Sequence, residues 1–271
     1  TPGIDALAAS GVAFDNAFSA VPLTLPSHTT MLTGLYPPEH GIKTNGKNGL
    51  APDVPTLQEI LQRRGYATAA FISASVLAAS YGLTRGFDVY DGIDKTAWKN
   101  DPQRHELIVD YDEQSFPYRR GDQTADAALK WLTDWAGNTK PGGRGEKPFF
   151  TWVHFYDPHL PGHAHEDIFG DHFDHMYDAE IAFMDIQIRR LLDFLKDNDL
   201  ARNTLVVAVA DHGEGLGDLD EDTHGFFLSP ATLHIPMSFT FPGRLKSGTR
   251  VAETVSARDL MPTVLDLIGV D

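Results

Sequence analysis

The sequence predicts an α/β fold, a sandwich of helices against a mostly parallel sheet, and three observations predict it. Hydrophobic periodicity switches between strand-like and helix-like segments along the chain. Leu205 to Ala210, LVVAVA, is apolar at every residue, the pattern of a strand covered on both faces in a mostly parallel sheet. Tyr177 to Lys196 sets Ile181, Met184, Ile188, Leu191, Leu192 and Leu195 along one face at helical spacing.

The remaining elements follow in order. Val12 to Ala20 reads as a short strand, and Pro26 to Gly34 as a helix opened by Pro26 and closed by Gly34. Pro55 to Arg64 is a helix that Gly65 stops, and Ala67 to Ile72 is a buried strand. The stretch from Asp91 to Arg120 is charged and poorly periodic, which marks a surface insertion. Gln123 to Trp135 is a helix, and Lys140 to Lys147 a Gly/Pro-rich loop. Pro148 to Phe155 carries the aromatic and β-branched residues of a strand. Ile235 to Phe241 is a further strand, and Ala257 to Ile268 a final helix.

Composition narrows the function. With 271 residues, 42% of them hydrophobic, the chain has material for one large core, or for one domain with an appended lobe. No run approaches the ~18 apolar residues of a membrane span. Thr1-Pro2-Gly3 lacks the basic and apolar regions of a signal peptide. The net charge of -16 repels nucleic acid and anionic lipid. An acidic enzyme acting on anionic esters needs local positive charge, and bound metal is the simplest source. With no cysteine, disulfides, Cys-ligated zinc and thiol catalysis are excluded.

Three places carry chemistry. In Pro22-Leu23-Thr24-Leu25-Pro26-Ser27-His28-Thr29-Thr30 a hydroxyl follows a strand and opens a helix. Unpaired N–H groups at such a helix start suit a tetrahedral oxyanion, and a nearby metal would activate the hydroxyl. On local spacing alone, the better reading of Thr24 is a plain N-cap. In Ala210-Asp211-His212-Gly213-Glu214-Gly215 a carboxylate and an imidazole stand at the C-terminal end of a strand, where ligand sites of open α/β sheets lie. These are ligand types for zinc or manganese. The third place holds six of the chain's 12 histidines, between His154 and His175. Asp157 and His159 follow the strand end most closely. His165, His172 and His175 read as solvated surface residues.

Taken together these motifs resemble the alkaline phosphatase/sulfatase superfamily. TPGIDALAASGVAFDNAFS looks like the sulfatase opening, and TLPSHTTMLTGLYPPEHGI resembles the segment that bears the sulfatase nucleophile. PFFTWVHFYDPH is similar to the family strand with a catalytic histidine, and LVVAVADHGEGLGD to its second metal-binding strand. THGFFLSPATLHIPM and RDLMPTVLDLIG resemble its closing segments.

The resemblance implies an α/β three-layer sandwich with a mostly parallel central sheet, alkaline phosphatase-like, spanning residues 1–271 as one catalytic domain. It also leads us to expect that the family's first metal-binding strand is missing ahead of Thr1. Sulfatases oxidise a Cys or Ser at the position that Thr24 fills. Threonine would give a ketone instead of their aldehyde, so no formylglycine is expected. His28 stands where they have arginine, and Ser73 and Ser75 replace an expected Lys-x-His pair. An unmodified Thr with Pro and His after it looks like nucleotide pyrophosphatase/phosphodiesterase relatives.

Carried over by position, Thr24 is the nucleophile, and Thr24, Asp211 and His212 share a divalent metal, zinc or manganese rather than calcium. Asp157 is a further ligand. His159 and His224 are catalytic, His159 as leaving-group acid and His224 at the second metal or ester oxygen. His28 and His154 contact substrate. The expected activity is hydrolysis of a small sulfate or phosphate ester, with an inactive sulfatase-like binding domain as the alternative. The resemblance is compatible with a periplasmic or extracytoplasmic location.

Overall fold

The fold was derived from a computed structural model that describes residues 1–93, 108–109, 118–137, 147–160 and 165–270. Most of the expected insertion between Asp91 and Arg120, and of the loop from Lys140, lies outside these residues. The helices are α1 (Pro2–Ser10), α2 (Thr24–Thr33), α3 (Pro37–His40), α4 (Leu57–Arg63), α5 (Gly121–Gly137), α6 (Glu166–Phe169), α7 (Met176–Asp197), α8 (Pro230–Leu233) and α9 (Leu260–Ile268). The strands are β1 (Val12–Phe18), β2 (Ala67–Ile72), β3 (Val89–Asp91), β4 (Ile108–Val109), β5 (Tyr118–Arg119), β6 (Phe149–His154), β7 (Val206–Val209), β8 (Met237–Thr240) and β9 (Thr249–Ser256). The architecture is α/β, as the periodicity predicts, and it divides into two compact units.

The first unit comprises Thr1–Leu57 and Leu195–Asp271. Its sheet has the order β7-β8-β1-β9. β9 runs parallel to β1 from Val12↔Thr249 to Phe18↔Ser256, whereas β8 pairs antiparallel with both β1 and β7. α1 packs on β8, and Thr240 Oγ1 donates to the Leu7 carbonyl at 2.9 Å. The turn between α1 and β1 must be glycine. A Cβ on Gly11 would stand 2.1 Å from the Phe239 carbonyl oxygen.

β7 departs from the sequence reading. It is half-buried along its whole length, and it sits at the edge of a mixed sheet. Val and Ala satisfy an edge strand as well as a central one, because apolar side chains alone do not report how many neighbours a strand has.

The second unit comprises Gln58–Phe194. Its three-stranded sheet, β3-β2-β6, is parallel throughout, with β2 and β6 in register from Ala67↔Phe149 to Ile72↔His154. Every residue of β2 is buried, as a central parallel strand requires. α5 covers this sheet. Ala69 and Phe71 meet Ala128, with Trp131, Val153 and Leu191 around them.

α2 begins at Thr24, two residues before the expected Pro26. Proline is tolerated in a first helical turn, where its missing N–H has no partner to lose. Gly34, in the left-handed region at φ 67°, ends the helix. α2 is locked to α3 through the buried His40. Ile42 N–H donates to His40 Nδ1 at 3.1 Å, so the proton sits on Nε2, which donates to Thr30 Oγ1 at 3.1 Å.

Burial lowers the His40 pKa from its ordinary value of 6.5 to about 4, against the opposing pull of Glu39. The unfolded chain therefore takes up this proton near pH 6.5, before the folded one does. Stability from this group is fully present above pH 6.5 and falls as pH drops towards 4, by about 2–3 kcal/mol. Urea melts of wild type and His40→Gln should show the wild type losing that much more between pH 7 and pH 4.

Candidate active site

The site is built where α2 meets the end of β7, within the first unit. α2 is buried along its entire length, including Thr24 and His28. One contact fixes it in place. Ser27 Oγ donates to the Asp211 carbonyl at 2.6 Å, and Ser27 Oγ also lies 3.1 Å from Ser19 Oγ. The helix that carries Thr24 is thereby tied to the strand end that carries Asp211.

Thr24 is not an N-cap. Leu23 occupies that position, and Thr24 is the first helical residue. Its Oγ1 lies 3.3 Å from His212 Nε2. His212 Nδ1 is 2.8 Å from the Gly213 carbonyl. A carbonyl oxygen only accepts, so Nδ1 carries the proton and Nε2 presents its lone pair towards Thr24. Asp211 Oδ1 accepts the His212 N–H at 3.0 Å. Asp211 Oδ2 lies 3.4 Å from His212 Nε2 and 3.5 Å from His28 Nε2.

The Thr24–His212 contact is a long hydrogen bond, and the spacings of the group are also those between ligands of one cation. Two ligands each ~2.1 Å from one ion at a tetrahedral angle stand ~3.4 Å apart. The donor set of carboxylate, hydroxyl and imidazole lone pair is one that zinc or manganese accepts.

His224 joins the same group. Its ring centroid is 4.0 Å from that of His212. Its Nδ1 is 2.9 Å from the Pro22 carbonyl, which again places the proton on Nδ1 and the lone pair on Nε2. Its pKa is lowered, first by burial and then by His212, against the opposing effect of the Pro22 carbonyl and of Asp211 and Glu221. Burial also lowers His28, with Asp211 opposing and His212 adding to the shift. Both imidazoles are therefore neutral near pH 7. A neutral His28 does not replace the positive charge of the sulfatase arginine; its Nε2 faces Asp211 Oδ2.

The expected oxyanion cradle at the start of α2 is mostly spent. Leu25 N–H donates to Asn45 Oδ1 at 2.9 Å, Pro26 has no N–H, and Ser27 N–H bonds the Leu23 carbonyl at 3.0 Å. Asn45 and Ser27 were not legible as site residues, because a loop Asn and a helical Ser carry no pattern of their own.

Gly213 gives this site its tightest packing. A Cβ there would meet the Ala231 carbonyl oxygen at 2.0 Å. Gly213→Ala is expected to push the Asp211-His212 turn off α8, lowering stability by about 2 kcal/mol and reducing turnover with it. Thermal melts and rate measurements on the same sample check both.

The second unit holds the other sequence candidates. His154 ends β6, buried, with its carbonyl accepting the Ser73 N–H at 3.2 Å. The His159 ring stacks on Tyr156 at 4.3 Å, and its backbone N–H donates to Glu180 Oε2 at 2.8 Å. The Asp157 carboxylate lies beside His165, with Nε2 and Oδ1 3.6 Å apart. His172 and His175 are exposed as expected, but His165 is only 4% exposed. Its ring stacks on Phe183 at 3.9 Å, a partner from α7 that local sequence does not disclose.

Comparison with known proteins bears on this geometry. The family model described as Sulfatase matches residues 1–270. N-acetylgalactosamine-6-sulfatase of Homo sapiens is 27% identical over 302 residues, which cover 99% of this chain and 57% of that protein. This chain thus spans a little over half the length of that relative. The crystal structure of Ps i-CgsB in complex with k-i-k-neocarrahexaose superposes with a TM-score of 0.78 at 24% identity, covering 100% of this chain and 67% of that one. The phosphonate monoester hydrolase of Agrobacterium radiobacter gives 0.73 at 22% identity, over 100% of this chain and 69% of the other. These two superpositions establish the fold, and the match of the family model over residues 1–270 establishes the lineage: the chain belongs to the sulfatase family.

Proposed function

We propose that this protein is a metal-dependent hydrolase of sulfate or phosphate esters, acting through a covalent intermediate on unmodified Thr24. The observation that carries the reading is the 3.3 Å approach of Thr24 Oγ1 to His212 Nε2, beside the Asp211 carboxylate. Asp211, His212 and Thr24 would hold the ion. A divalent cation there supplies Lewis acidity, lowering the pKa of the hydroxyl and offsetting the charge of the anionic ester.

The residues then divide the work. Thr24 Oγ1, its proton released to solvent, attacks sulfur or phosphorus, and the ester oxygen departs on the opposite side and takes a proton from solvent. Ser27 keeps α2 aligned during the attack through its bond to the Asp211 carbonyl. His224 holds its ring by the Pro22 carbonyl, and its neutral Nε2 takes the proton from the water that cleaves the Thr24 ester. Asp211 orients both His212 and His28.

The family's sulfatase relatives support a sulfate ester as substrate, whereas a threonine in place of the oxidisable Cys or Ser supports a phosphate ester. A panel of aryl sulfate, aryl phosphate and bis-aryl phosphodiester separates the two. Hydrolysis of at least one, stimulated by zinc or manganese and removed by chelation, is the expected result. No turnover of any of the three by metal-loaded protein would instead favour a binding domain.

A further inference from the structure

We propose that Asp157, His165 and Glu180 form a divalent metal site within the second unit. Their candidate ligand atoms all lie within 4.8 Å of one another, and all three residues are buried. They come from three segments: the loop after β6, the residue preceding α6, and the first turns of α7.

Asp157 points most directly to a cation. Its side chain is 1% exposed, and neither oxygen accepts a hydrogen bond from any described residue. Burying a carboxylate in that state is costly unless a cation compensates it. The Arg120 guanidinium makes its ion pairs with other carboxylates. Arg120 lies over the Phe183 ring but pairs with Asp122 at 3.0 Å and Asp167 at 3.4 Å.

The ligand geometry is also prepared. His165 Nε2 and Asp157 Oδ1 are 3.6 Å apart, too long for a hydrogen bond but close to the ~3.4 Å between two ligands of one tetrahedral ion. The His165 ring plane is set by stacking on Phe183, interplanar angle 15°. Glu180 is oriented by the His159 N–H on its Oε2. Gly121 leaves room for the carboxylate, since a Cβ there would sit 2.9 Å from Asp157 Oδ2. Two carboxylates and one imidazole, with a fourth position left for water, suit zinc or manganese.

The test uses the full chain with Asp211→Asn and His212→Gln, so that the first group no longer binds. After equilibration with zinc and removal of excess, metal analysis is expected to find about one equivalent per chain, lost on adding Asp157→Asn. Zinc absent from the doubly substituted chain, or unaffected by Asp157→Asn, overturns the proposal. If Asp157→Asn fails to fold, anomalous diffraction at the zinc edge from wild-type crystals decides instead. A peak ~2.1 Å from Asp157, His165 and Glu180 supports the site. No peak there overturns it, whatever is found at Asp211.

Discussion

Thr24→Ala is expected to reduce kcat/KM by at least about 10⁴-fold on whichever ester the wild type hydrolyses, because it removes the proposed attacking oxygen. The cost in stability should be small by comparison. Thr24 is 8% exposed, and its Oγ1 makes a single long contact of 3.3 Å with His212. Losing one methyl and one weak hydrogen bond costs about 1 kcal/mol. Rate measurements alongside a thermal melt separate the two effects. Thr24→Ser keeps the hydroxyl and should retain far more activity than Thr24→Ala. If serine is as inactive as alanine, then shape at this position matters more than the oxygen.

Asp211→Asn is expected to be the second large effect, at least about 10³-fold in turnover, with loss of metal from the Thr24 group. The change keeps the size of the side chain and removes its charge. Asp211 is part of one arrangement: its carbonyl receives Ser27 Oγ, its Oδ1 receives the His212 N–H, and its Oδ2 faces two imidazoles. Only the last of these depends on the charge, so the variant should fold normally. Chelation of the wild type should reproduce its defect, and added zinc or manganese should rescue the wild type alone. Rescue of both to the same rate would remove Asp211 from the ligand set.

How much of this was legible in the sequence depended on whether the signal was local. Ala67 to Ile72 was read with its observed bounds, because six buried residues between Gly65 and a new turn leave little choice of register. The long amphipathic α7 was equally plain, since its periodicity runs for 22 residues. β7 was misjudged because its place at the sheet edge, with β8 as its paired neighbour, is set by the rest of the sheet. In the site, Asp211 and His212 stand out from their place at a strand end, whereas Thr24 at a helix start reads locally as a plain N-cap and is singled out by the family resemblance. Asn45, Ser27 and the burial of His165 were not, because each depends on a partner far along the chain. The oxyanion cradle failed as a reading for a related reason. Helix starts offer N–H groups in general, but Asn45 and Pro26 remove them here.

The account rests on Thr24 becoming covalently attached to the transferred group. Mass spectrometry of enzyme acid-quenched during turnover of an aryl phosphate or sulfate measures this most directly. The account predicts one phospho or sulfo group on the peptide that contains Thr24, localised to its side chain and absent from Thr24→Ala. An adduct on a different residue, or an unlabelled Thr24 in enzyme that is turning over, would contradict it.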